Sequence, residues 1–137
     1  MSDDIVVGID GSANARHALA WALDEAAFRS CRVRAVLTWS YMGDAHSPLG
    51  QKATEADAIA LLDAEIAEAA GDRADLVDAV AVNDLPVGGL LDQSADAALL
   101  VVGSRGRGGI KGLLLGSVSR TVIERAKIPV VVVPHQA

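Results

Sequence analysis

Apolar residues along this chain alternate between two kinds of run. Short ones occur from Ile5 to Ile9, broken only by Gly8, from Val33 to Trp39, which is rich in Val and Leu and free of Gly and Pro, and from Ala97 to Val102 and Val130 to Val133. Runs of this length, rich in Val, Ile and Leu, predict strands buried on both faces of a sheet. A further strand is expected from Leu76 to Val82, where apolar residues are interrupted by Asp78. Between these runs the spacing changes to that of helices. Ala15, Leu19, Ala22 and Ala26 recur on one face after a candidate N-cap at Ser12, up to about Ser30. Ile59, Leu62, Ile66 and Ala69 form a second stripe, opened by a Thr54/Asp57 capping box and closed by Gly71. Leu85 to about Ser94, with Pro86 in its first turn, predicts a third helix weakened by Gly88 and Gly89, and Ser117 to about Lys127 a fourth. Pro129 and Pro134 bracket the last strand, and the polar stretch from Ser40 to Ala53 is expected to be a loop.

Strict βα alternation predicts an α/β fold: a five-stranded, parallel, doubly wound (Rossmann-like) sheet with four helices on its two faces. The expected strand order is 3-2-1-4-5. In such a sheet the chain reverses direction between strands 1 and 4, and ligands bind outside the carboxyl ends flanking that switch. Those ends are Asp10 and Gly103. Topology therefore brings Asp10-Gly11-Ser12 beside Gly103-Ser104-Arg105-Gly106, although the two are far apart in sequence.

Composition narrows this picture. With 137 residues, 51% of them hydrophobic and 22% charged, the chain is expected to fold as one domain over residues 1–137. Aromatic residues make up only 3%, so its core should be aliphatic. No leader pattern is evident, and no apolar run approaches the roughly 18 residues of a membrane span. The single cysteine, Cys31, rules out an internal disulfide framework and reads as a small, partly buried thiol. Together these features predict a cytoplasmic protein that does not engage a membrane.

A net charge of −6 also argues against a nucleic-acid partner, which would call for a positive surface. Charge is unevenly spread, however. Residues 103–127 carry Arg105, Arg107, Lys111, Arg120, Arg125 and Lys127 against Glu124 alone, so the rest of the chain is more acidic than the net value. The same segment holds glycines at 103, 106, 108, 109, 112 and 116. Glycines there would let backbone N–H groups approach an anion, and Gly116-Ser117 opens a helix whose first N–H groups and dipole favour phosphate. Ser117 and Ser119 could add hydroxyl donors. The alternative is a surface loop in which the glycines only make turns. Neither G-x-x-x-x-G-K-[ST] nor a G-x-G-x-x-G after the first strand is present, which separates the segment from the two common nucleotide motifs.

Val101-Val102-Gly103-Ser104-Arg105-Gly106, nine further residues, and Gly116-Ser117-Val118-Ser119 resemble the G-x2-G-x9-G-[S/T] motif of the ATP-binding branch of the universal stress protein family. Ile5 to Ser12 is similar to that family's opening strand and loop, and Ile128 to Val133 to its closing strand. The resemblance spans the chain and implies a Rossmann-like domain that binds ATP. It would set Gly103 and Gly106 along the ribose and α-phosphate, with Gly116, Ser117 and Val118 at the β- and γ-phosphates and Arg105 and Ser119 nearby. Asp10 would contact the nucleoside side or a metal-bound water, with Ile9 beside it. Trp39 falls where family members contact adenine, with Gly8 and Val102 completing that wall. Any Mg²⁺ would arrive with the nucleotide, held by phosphates and water rather than by side chains. The resemblance also implies a homodimer through Val130, Val131, Val132 and Val133, as does the bare apolar edge that this strand would leave.

Other readings stand beside these. Asp10 could serve only as a turn and cap residue, Trp39 could fill the core edge, and Arg105 and Arg107 could be solvated charges. His17, His46 and His135 show no metal-ligand spacing and read as surface residues. Between Gly103 and Arg120 there is no carboxylate or Gln to position an attacking water, so Asp10 is the one nearby candidate. The expected function is therefore an ATP-binding, stress-response regulator that senses adenine nucleotide without appreciable turnover, rather than an enzyme. The alternatives are a slow ATPase and an interaction module that binds another adenine nucleotide such as cyclic AMP.

Overall fold

The computed structural model describes residues 3–40, 54–105 and 115–135. In chain order these residues form β1 (Ile5–Ile9), α1 (Ala13–Arg29), β2 (Val33–Trp39), α2 (Glu55–Ala70), β3 (Val77–Asn83), α3 (Pro86–Ser94), β4 (Leu99–Gly103), α4 (Ser117–Arg125) and β5 (Val130–Val133). All pairings are parallel and the strand order is β3-β2-β1-β4-β5, as the alternation predicts. The differences from expectation lie at the boundaries. A 3₁₀ turn over Gly71–Leu76 joins α2 to β3 and takes up Leu76, so β3 starts a residue later. β4 begins at Leu99 rather than Ala97 and reaches Gly103, while α4 stops at Arg125, short of Lys127.

Local chemistry accounts for the helix starts. Ser12 Oγ accepts the Ala15 N–H at 3.1 Å to cap α1. Thr54 and Asp57 exchange the reciprocal bonds of a capping box at the start of α2. α3 opens with Pro86, whose missing N–H would have had no helical partner there.

Strand alternation divides the core into two layers. Ile5, Val7, Ile9, Leu37, Trp39 and Val101 pack beneath α1 and α2 with Leu19, Leu23 and Leu62. Val6, Val36, Leu100 and Val102 pack on the other face with Leu90 of α3 and Val122 of α4. Removing each such side chain from water contributes about 1.5–3 kcal/mol. Close helix–sheet approach depends on two glycines. A Cβ on Gly89 would lie 2.5 Å from Thr38 Cγ2, and one on Gly8 would lie 3.2 Å from two atoms of Leu90. Gly89 therefore weakens α3 by propensity but is needed for α3 to reach β2.

Candidate functional site

β1 and β4 are neighbours, in register from Ile5↔Leu99 to Val7↔Val101, so Asp10 and Ser104 leave the same edge of the sheet. The chain reverses direction between these strands. The two stretches that sequence reasoning paired therefore leave neighbouring strands at the switch point, the second described as far as Arg105.

After β1, Gly11 adopts φ +84°, a conformation open to glycine. The turn brings Ser12 back to Asp10, whose Oδ1 accepts both the Ser12 N–H, at 2.9 Å, and the Ser12 hydroxyl. Asp10 thus supports the residue that caps α1, which is the turn-and-cap role considered from sequence. Arg16 secures the turn from its other side. Its Nη1 donates to the Gly11 carbonyl and to both carboxylate oxygens of Glu65 on α2, at 3.0 and 3.2 Å. The bond that Glu65 accepts raises the Arg16 pKa above its ordinary value, against a smaller opposing effect of burial.

Beyond β4, Ser104 is buried and joins both ends of the Gly-rich segment. Its N–H donates to the Val133 carbonyl and its carbonyl accepts the Gly116 N–H at 2.7 Å. That second bond brings the start of α4 against the exit of β4. Gly116 is the N-cap of α4 and has no side chain with which to bond the first-turn N–H groups, in contrast to Ser12 and Thr54. Ser117 is exposed and Val118 half-buried, its side chain packing into the core layer on the α3 and α4 face. Gly106, Arg107 and Lys111 lie outside the described residues, as does His46.

Several sequence-based roles are revised. Gly103 makes room for a protein group: its Cβ would lie 2.7 Å from Asn14 Cγ. Ser119 is buried, and its hydroxyl is directed at the carbonyls of Ser104 and Gly116, at 3.0 and 3.1 Å, so its proton is already engaged inside the protein. The Arg105 N–H donates to Asn14 Oδ1 at 2.8 Å rather than pointing outward. Trp39 does not form one wall with Gly8 and Val102. Trp39 and Ile9 pack in the layer under α1 and α2, whereas Val102 and Gly8 face α3 and α4.

Sequence reasoning missed Asn14. It is 2% exposed, at the second position of α1, and its carboxamide reaches the ends of both β4 and β5. Nδ2 donates to the carbonyls of Val133 and Pro134, at 3.1 and 3.4 Å, while Oδ1 accepts from the Arg105 N–H and, at 3.4 Å, the Ser104 hydroxyl. The available signal was a polar residue one position before Ala15, on the face that the helical stripe assigns to the core. Among the described residues, no cluster of His, Cys, Asp or Glu is arranged to hold a metal ion, and no helix is long and apolar enough to cross a membrane.

The architecture is that of a doubly wound α/β protein with its candidate site at the switch point, where the turn after the first strand and the exit of the fourth leave the same edge of the sheet. The chain belongs to the universal stress protein family, whose model matches residues 1–134. It is 42% identical over 130 residues to a universal stress protein of Mycobacterium tuberculosis, an alignment covering 93% of this chain and 44% of that relative. A second protein of that name from the same organism is 38% identical over 130 residues, with the same coverage. The chain thus spans less than half the length of these curated relatives. Among solved structures, a universal stress protein in complex with cAMP superposes with a TM-score of 0.74 at 28% identity, covering 98% of both chains. The universal stress protein from Archaeoglobus fulgidus in complex with dAMP gives 0.67 at 25% identity, over 95% of this chain and 96% of that one.

Proposed function

We propose that this chain binds an adenine nucleotide at the carboxyl ends of β1 and β4 and acts as a regulatory stress-response protein whose state follows occupancy. The observation that carries this reading is the start of α4. Gly116 is fastened to Ser104 at the exit of β4 and leaves the first-turn N–H groups of Ser117 and Val118 without a side-chain cap. Such a helix start favours an anion, and a phosphate is the anion that a nucleotide would bring. The cAMP and dAMP complexes of related universal stress proteins support adenine and phosphate as the recognised groups.

In this reading residues 1–137 form one binding unit in the cytoplasm. ATP, with any Mg²⁺ held through its phosphates, meets Gly103, Arg105, Gly106, Gly116, Ser117 and Val118, with Asp10 and Ile9 on the nucleoside side. Cyclic AMP is the second reading, favoured by the complex with a TM-score of 0.74. Turnover is expected to be slow or absent in this reading, because the stretch from Gly103 to Arg120 carries no carboxylate or Gln to position an attacking water. Mass spectrometry of the protein as purified, with calorimetric titration of ATP, ADP and cyclic AMP, tests the reading. Binding of at least one is expected, and failure of all three at millimolar concentration overturns it. Steady ADP release that disappears in Asp10→Ala would overturn the regulatory part alone.

A second copy is proposed to pair through β5, which ends the sheet and leaves Val130, Val131 and Val132 half-buried. Light scattering on Val132→Asp should report monomers, with circular dichroism confirming the fold; an unchanged dimer would place the interface elsewhere.

A further inference from the structure

We propose that Asn14 is the positioning residue of this site, and that through it the Gly-rich segment is linked to the chain leaving β5. The nucleotide half of this inference rests on the proposed function; the linkage itself does not.

The carboxamide is used to capacity. Its two N–H bonds serve the Val133 and Pro134 carbonyls, and its oxygen takes the Arg105 N–H and the Ser104 hydroxyl. Ser104 repeats the connection, since its Oγ also accepts the His135 N–H at 2.9 Å. Two side chains therefore hold Arg105, at the start of the Gly-rich segment's run from β4, and the three residues from Val133 to His135 in one hydrogen-bonded unit. Both are buried, at 2% and 6% exposure, so water does not readily replace a lost partner.

The consequence is directional. Asn14 Oδ1 fixes where the Arg105 backbone departs from β4, and Nδ2 fixes where the backbone departs from β5. Moving either end costs the other a hydrogen bond. A ligand that holds the Arg105 backbone in place should therefore also hold residues 133–135, and by linkage the reverse holds equally. β5 would then report on occupancy.

Residue-resolved amide exchange separates the two halves of the carboxamide. Without nucleotide, Asn14→Ala should speed exchange of the Arg105 and His135 amides at least tenfold. Asn14→Asp keeps an oxygen to accept the Arg105 N–H but sets a carboxylate oxygen against the Val133 and Pro134 carbonyls, so Arg105 should stay protected while the backbone from Val133 is pushed away and the His135 N–H is drawn off Ser104 Oγ. If both amides keep wild-type rates in both variants, or respond equally to Asn14→Asp, the linkage is wrong. Should Asn14→Ala fail to fold, Asn14→Asp, which preserves size, decides alone. In the wild type, ATP should slow the His135 amide several-fold, and in Asn14→Asp it should not. ATP that binds without slowing His135 overturns the linkage, whereas failure of ATP, ADP and cyclic AMP alike to bind overturns the nucleotide reading and leaves the exchange pattern to decide the linkage.

Discussion

Gly103 and Asn14 occupy space that only one side chain can fill. The position a Gly103 Cβ would take lies 2.7 Å from Asn14 Cγ and 2.8 Å from Oδ1, and the hydrogen bonds on the carboxamide keep Asn14 from moving aside. The first glycine of the Gly-rich segment is thus required by the protein's own packing. Any ligand approaching this end of β4 meets a backbone that Asn14 has already placed.

Gly103→Ala should therefore destabilise the fold before it affects binding. Overpacking of this kind costs about 1–3 kcal/mol. A Cβ that displaced Asn14 would also strip a partner from the Arg105 N–H and the Val133 carbonyl. Urea denaturation should show a lowered midpoint with an unchanged slope; a wild-type midpoint would mean that Asn14 can relocate at no cost.

Gly89 and Thr38 allow a cleaner test of close packing. Gly89→Ala brings helix propensity to α3, worth up to about 1 kcal/mol, but sets a methyl 2.5 Å from Thr38 Cγ2. The clash should win in the single variant. Thr38→Ser removes that Cγ2, so the double variant should recover part of the loss, with a coupling of about 0.5–3 kcal/mol. Additive losses in a double-mutant cycle would show that α3 shifts instead.

Ser117→Pro distinguishes a helix start that binds phosphate from one that merely begins a helix. Ser117 is the first residue of α4, where proline's fixed φ is tolerated, and Gly116 at φ −75°, ψ 171° already has the extended conformation that a following proline demands. Thermal stability should be close to wild type. Nucleotide affinity should fall at least tenfold by calorimetry, because the Ser117 N–H is gone; unchanged affinity would move the phosphates away from α4.

Asp78 gives the protein a stability increment that depends on pH. Arg32 donates from Nε and Nη2 to its two carboxylate oxygens, at 3.1 and 2.9 Å, which lowers the Asp78 pKa despite partial desolvation. A depressed folded-state pKa stabilises the fold fully above the unfolded value of about 3.9, and the increment is lost as pH falls through the folded value. The stability gap between wild type and Asp78→Asn should accordingly be constant near neutrality and close below about pH 4. Both side chains are about half exposed, at 48% and 49%, so the gap should be small and should shrink in high salt. A gap that widens on acidification would contradict the assignment.

The alternation of buried strands and amphipathic helices by itself determined the layer architecture, the strand order and the meeting of Asp10 with Gly103, because parallel β-α-β crossovers leave few arrangements open. The caps at Ser12 and Thr54 were legible for a similar reason: a cap bonds residues three positions away. What only the tertiary structure decided were contacts between residues remote in sequence. The stripe that placed Ala15 in the core could not reveal that Asn14 beside it reaches across more than a hundred residues to Val133. Glycine spacing could not tell that Gly103 yields to Asn14 and Gly89 to Thr38, since a missing Cβ looks the same whether ligand or protein fills its place. Nor could a serine after a glycine show that Ser119 turns its proton inward. Hydrophobic period is a property of neighbouring residues, whereas the identity of the group that fills a gap or accepts a proton is set by which distant segments the sheet brings together.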